Sequence, residues 1–174
     1  MSKPLPDALA LSNNVLRVLI KVNLLMGVLI LGLLIATLVA EIPVLRALGI
    51  RTAELNARLA FGMRAIMVLG ICAVPVVHFV SRRLLMIVAT VSTGNPFIGA
   101  NATRLRAIAW ALLTLELLHF VVGAVGSSIS SAAAPIHLSW GFSLTRCLAV
   151  LLLFVLARVF EEGARMREDL EGTV

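Results

Sequence analysis

The chain has 174 residues, 60% of them hydrophobic and only 14% charged, at a mean hydropathy of +1.05. A soluble domain of this size has too little interior to hide that much apolar surface, so the composition excludes one. A net charge of +6 would point to nucleic acid in a soluble protein, but the 15 Lys and Arg residues lie mostly singly or in pairs between apolar runs. That is the pattern of membrane topology, with the lipid bilayer as the first partner and no direct nucleic acid binding.

A hydrocarbon core of about 30 Å takes about 20 helical residues. Four runs of that order are bounded by charges or turn residues. The first covers about residues 18–40 and ends against Glu41 and Pro43. It is longer than the roughly 7 to 15 apolar residues of a cleaved signal, and Leu38 stands where a cleavage site needs a small side chain, so it reads as a retained anchor. The second, 61–80, stops before Arg82 and Arg83 and holds Pro75, which removes a helical hydrogen bond and predicts a kink. The third, 107–125, follows Arg104 and Arg106, with Asn101 expected as a helix cap. The fourth, 142–160, carries Arg146 and Arg158 near its ends, where long side chains snorkel to the headgroups. Trp110 and Trp140 fall near opposite span ends, as an aromatic belt places them.

With the N-terminus inside, Lys3, Arg17, Lys21, Arg82, Arg83, Arg104, Arg106, Arg158, Arg165 and Arg167 lie on the cytoplasmic side. Arg46, Arg51, Arg58, Arg64 and Arg146 lie outside. The excess favours both termini on the cytoplasmic side.

The connecting segments add detail. Val44, Leu45, Leu48, Leu55 and Leu59 recur at helical spacing between Arg51, Glu54 and Arg58, which predicts a short amphipathic element on the external surface. The plainer reading of it is a loop covering the bundle; the sharper one is a ligand-binding cap. Residues 127–139 are small and uncharged, with Pro135 and His137, and read as an external loop. After Arg82 and Arg83 the apolar pattern continues to the Gly94-Asn95-Pro96 turn, which predicts that the second helix projects past the membrane and turns back. Residues 81–106 would then form a basic cytoplasmic hairpin, and residues 161–174, with a net charge of −3, an acidic cytoplasmic tail. Glu161 with Arg165, and Arg165 with Asp169, are spaced four apart, which supports a helical continuation of the tail. Either hairpin and tail solvate or pair with each other, or they form a docking platform. Its contact residues would be Arg82, Arg83, Asn95, Pro96, Phe97, Arg104, Arg106, Glu161, Arg165, Arg167, Glu168 and Asp169.

The expected fold is thus all-α: one membrane domain, a four-helix transmembrane bundle with a short amphipathic external element and cytoplasmic helix extensions. Ionisable groups inside such spans invite a functional reading. Glu116 and His119 lie three apart on the third span and share a face. At about 1.5 Å per residue, Glu116 lies about 13 Å deep, Cys72 about 12 Å, His119 about 18 Å and Cys147 about 20 Å, while His78 is shallow at about 3 Å. Glu, His and Cys can bind zinc, but these come from three spans without a diagnostic spacing, so neither a metal nor a cofactor is expected. The cysteines read as buried thiols. Gly27, Gly32, Gly123 and Gly126 would serve close helix packing. No serine has a base of evident role nearby, so no catalytic residue and no enzymatic activity is expected. The Asn101-Ala102-Thr103 sequon falls on the cytoplasmic side, where glycosylation does not occur.

Gly94-Asn95-Pro96-Phe97 followed by Asn101, Arg104, Leu105, Arg106, Ile108 and Trp110, together with Val159 to Ala164 and Arg167 to Val174, resembles a bacterial membrane family catalogued as domain of unknown function family 2975. The resemblance covers most of the chain, from the first span to the end. It implies a four-helix inner-membrane protein, often encoded beside a small helix-turn-helix transcriptional regulator, and no reaction. Two functions follow as expectations. The first is a non-enzymatic regulator or scaffold that binds a cytoplasmic partner, such as that regulator, through the hairpin and tail. The alternative is a small transporter or channel using Glu116 and His119 as an intramembrane polar relay. A homo-oligomer is compatible with either.

Overall fold

The computed structural model describes residues 5–48, 57–94, 96–129 and 143–171. Those residues form helices α1 (Leu5–Val39), α2 (Glu41–Ala47), α3 (Ala57–Ser92), α4 (Gly99–Ile129) and α5 (Leu144–Glu171), with no strand among them. Helices α1, α3 and α4 are each long and apolar enough to cross a membrane.

Hydropathy located the apolar parts of the helices but not their ends. α1 starts at Leu5, well before residue 18, because Leu, Ala and Val continue through the polar N-terminal flank and nothing after Pro6 breaks them. Pro6 falls in the first turn, where a missing N–H costs no helical hydrogen bond. α1 stops at Ala40, whose φ of −137° and ψ of 65° leave the helical region. The expected amphipathic element is realised only as the seven-residue α2, which buries Leu45 and leaves Ile42, Arg46 and Leu48 exposed. Leu59 belongs to α3, and Arg51, Glu54 and Leu55 lie outside the described residues.

α3 runs through Pro75 and past Arg82 and Arg83 to Ser92. Its 36 residues amount to about 54 Å of helix, more than a hydrocarbon core of about 30 Å takes. The turn follows as expected: Gly94 takes a φ of +79°, the left-handed conformation that glycine adopts without strain, and its N–H donates to the Val91 carbonyl at 3.1 Å. α4 begins at Gly99, so Asn101 is no N-cap; it sits inside the first turn. Serines 127 and 128 are still helical, and the rest of the expected external loop, with Pro135, His137 and Trp140, lies outside the described residues.

α5 is helical from Leu144 through the tail to Glu171. It does not join the three clearly membrane-length helices, because Arg146, Arg158 and Glu161 confine its uncharged run to the 11 residues from Cys147 to Ala157. Those residues rise only about 16 Å.

The chain divides into two compact units, one of Met1–Asn23, Val76–Thr114 and Ser143–Val174, the other of Leu24–Pro75 and Leu115–Phe142. In the second unit the C-terminal half of α1 packs on the first half of α3 through glycines: a Cβ on Gly27 would lie 3.0 Å from Val74, and one on Gly70 would lie 3.6 Å from Ile30. Gly62 is tighter still, with Ile129 of α4 2.3 Å from the position a Cβ would take. Gly123 and Gly126 are buried as expected, but Gly32 faces open space and packs nothing. In the first unit, Ala102 and Ala109 on α4, and Val150, Ala157 and Ala164 on α5, are buried at seven-residue intervals. Small residues repeating every two turns let helix backbones approach closely. Trp110 meets Phe154 edge-on at 5.6 Å, which ties α4 to α5.

Large apolar side chains are exposed along most of α1, from Leu11 to Val39. Only 6% of its most apolar stretch is buried, against 22% in α4. In water this exposure would be untenable; in lipid it has no cost.

Candidate functional site

Among the described residues, a dense set of polar and aromatic contacts lies in the first unit, where the α3–α4 hairpin meets α5. The hairpin is closed by Asn101, which is fully buried. Its Nδ2 donates to the Thr90 hydroxyl at 2.7 Å on α3 and to the Pro96 carbonyl at 2.8 Å in the turn. Its Oδ1 accepts from Arg104 Nη1 at 2.8 Å. The same Arg104 nitrogen lies 3.4 Å from the Met86 carbonyl. One side chain thus satisfies a helix end, the turn and a helix start, and a buried amide with these bonds met rigidifies the turn. It also removes the Asn101 amide from any exposed modification site.

Onto this hairpin α5 is fastened in two ways. The Phe97 ring packs tilted against Phe160, with centroids 5.1 Å apart and planes 41° from parallel, and fills the notch left by Gly163, where a Cβ would lie 2.9 Å from Phe97 Cδ1. Beside it, Glu161 Oε2 accepts from Arg106 Nη2 at 3.1 Å and from Arg158 Nη1 at 3.2 Å. Glu161, expected to pair with Arg165 four residues on, is bonded by an arginine three residues back and by another 55 positions away in the chain. Basic hairpin and acidic tail do pair, through Arg106 and Glu161.

Arg83 lies over the Phe79 ring at 4.9 Å, and Arg82 is exposed. Arg165, Arg167, Glu168 and Asp169 are exposed along the last turns of α5. Asn95 lies outside the described residues.

In the second unit the structure assembles a polar node that no sequence spacing announced. Arg64 Nη2 donates to the Thr37 carbonyl and to Glu41 Oε2, each at 2.7 Å. Thr37 lies in the last turn of α1, where the carbonyls run out of helical donors, and Glu41 opens α2. A guanidinium from α3 therefore caps one helix and holds the first residue of the next. Its Nε is buried without a hydrogen-bond partner. The Thr37 hydroxyl folds back onto the Leu34 carbonyl at 2.7 Å.

Glu116 is half-buried, and His119, one turn on, is exposed on α4. His78 is half-buried in the first unit, whereas Glu116 and His119 belong to the second. Cys72 is exposed and Cys147 half-buried, so neither is the fully buried thiol expected. Apolar flanks do not imply an inward-facing side chain when the helix itself is bathed in an apolar phase. Among the described residues no group of three or more His, Cys, Asp or Glu side chains gathers in metal-binding fashion.

No curated protein and no solved structure matches the chain. The family described as "Protein of unknown function (DUF2975)" matches residues 47–174. The match covers most of the chain, which therefore belongs to that family. It starts at Ala47 rather than in the first span, so α1, Thr37 and Glu41 precede the shared region. Arg64, which grips them, lies inside it.

Proposed function

We propose that this family member is a four-span inner-membrane protein, both termini cytoplasmic, that works without enzymatic activity as a regulator or scaffold. It docks a cytoplasmic protein on the joint surface of the α3–α4 hairpin and the α5 tail. The observation that carries the reading is the junction of Phe97 and Arg106 with Phe160, Glu161 and Gly163, which brings hairpin and tail into one surface. That junction also supports a fourth crossing. Trp110 meets Phe154 while Phe97, thirteen residues back along the chain, meets Gly163, nine residues further on, so α5 runs antiparallel to α4. A partner that crosses with α4 then returns α5 to the side of the turn. Arg146 and Arg158 would snorkel to opposite headgroup layers and extend the short uncharged run.

The partner class favoured is a small helix-turn-helix DNA-binding regulator, whose cationic surface would complement a tail of net charge −3. The test is an affinity pull-down of the tagged full-length protein from gently solubilised membranes, beside a version truncated after Phe160. Recovery of a small DNA-binding protein by the full chain alone is expected; equal recovery by both would remove the tail from the interface. The transporter alternative rests on Glu116 and His119. Liposome flux unchanged by Glu116→Gln and His119→Ala would dispose of it.

A further inference from the structure

We infer that the Glu161 ion-pair triad is a latch on the tail helix, and that anionic lipid headgroups open it by drawing Arg106 and Arg158 away from Glu161. This rests on the proposed placement of the hairpin end of α3 and α4 at the cytoplasmic headgroup level.

Three features of the triad lead there. First, two arginines share one carboxylate oxygen, Oε2, each through a single nitrogen at 3.1 and 3.2 Å. Neither makes the two-pronged contact that a guanidinium fork is shaped for, and a phosphodiester offers that geometry to both. Second, two cations against one carboxylate leave a net charge of +1, so an added anion is attracted rather than repelled. Third, the arginine side chains are accessible, at 52% and 68%, while Glu161 is only 27% exposed. A headgroup can therefore reach the cations without displacing the carboxylate first.

What the latch holds is equally defined. With Arg106 released, apolar contacts remain between this part of α5 and the turn, chiefly the Phe97 ring in the Gly163 notch and against Phe160. Glycine there lets the ring seat closely, and its low helix propensity keeps the segment easy to bend. Opening would separate the acidic tail from the hairpin and divide the docking surface. Headgroup composition would thereby set whether the two elements are presented together.

The experiment uses the full-length protein with Cys72→Ala and Cys147→Ala, spin-labelled at Thr93→Cys in the turn and Met166→Cys on α5. Distances are measured in nanodiscs of phosphatidylcholine alone and of equal parts phosphatidylcholine and phosphatidylglycerol. The expected result is a short distance in the neutral bilayer that lengthens by about 10 Å, one helix diameter, in the anionic one. Glu161→Gln should give the longer distance already in phosphatidylcholine, as should Gly163→Leu, which drives Phe97 from its notch. Equal distances in the two bilayers, or a short distance retained by either variant in phosphatidylcholine, would overturn the latch. Lengthening caused by inorganic phosphate in neutral discs would overturn the assignment to lipid. A membrane-impermeant thiol reagent on Thr93→Cys in sealed vesicles tests the topology by itself. A cytoplasmic Thr93 with no lipid effect sinks the latch alone, and a Thr93 on the other side sinks the placement beneath it.

Discussion

Three glycines that look alike along the chain should respond to alanine in three different ways. At Gly62, the new methyl would lie 2.3 Å from Ile129 Cγ2 and 2.9 Å from Cδ1, and Ile129 is itself buried. Overpacking of this kind costs about 1 to 3 kcal/mol. Alanine returns up to about 1 kcal/mol in helix propensity. So close an approach to a buried side chain puts the cost at about 2 to 3 kcal/mol, so the net loss is about 1 to 2 kcal/mol, or roughly a 5- to 30-fold fall in the folded-to-unfolded ratio. At Gly32 nothing lies within 4 Å, so only the propensity term remains and the variant should gain up to about 1 kcal/mol. At Gly163 the neighbour is the edge of the Phe97 ring, which is 44% exposed and can give by the few tenths of an ångström a methyl needs, and the two terms should nearly cancel. Unfolding in mixed micelles of dodecyl sulfate and a mild detergent, followed by far-UV circular dichroism, ranks the three. The Gly62→Ala and Ile129→Ala cycle should show favourable coupling of about 1 kcal/mol or more, because removing the isoleucine branches makes room for the methyl. A Gly62→Ala protein as stable as the parent, or a Gly32→Ala protein equally damaged, would refute this account of how α1, α3 and α4 pack.

Arg64→Ala should destabilise by about 1 to 2 kcal/mol in the same assay. It strips a charge-assisted bond from the Thr37 carbonyl and leaves Glu41 alone, while relieving the buried Nε of its missing partner. Arg64→Lys should recover part of that loss. Asn101→Ala should cost more, about 2 to 3 kcal/mol, since at a fully buried position it removes two donated bonds and the one accepted from Arg104; a silent Asn101→Ala would show that the turn holds without it. If α5 crosses, single cysteines at Thr93 and Met166 will react with an impermeant reagent on the same side of the membrane, and one at Arg46 on the other. Labelling of Met166 together with Arg46 would leave α5 uncrossed.

The sequence alone determined the class of protein and the order of its helices. Hydropathy, charge spacing and chain breakers are local quantities, and a lipid solvent makes hydropathy a direct measure of span position. The turn at Gly94 and the helical continuation of α3 were legible for the same reason, since a left-handed glycine before Pro96 needs no distant partner. Other features depended on residues far away in the chain. Arg64 was read as one more external arginine until α3 brought it to Thr37 and Glu41, 27 and 23 positions earlier. Asn101 matched a cap by type, yet its partners are Thr90 and Pro96, set by where the turn places α3. Gly62 and Gly163 gave no sign of importance, and Gly32 gave a false one, because a glycine's packing role is fixed by what stands opposite it. Only the tertiary structure supplied those opposing faces, and with them the bond from Arg106 to Glu161 that turns a basic hairpin and an acidic tail into one surface.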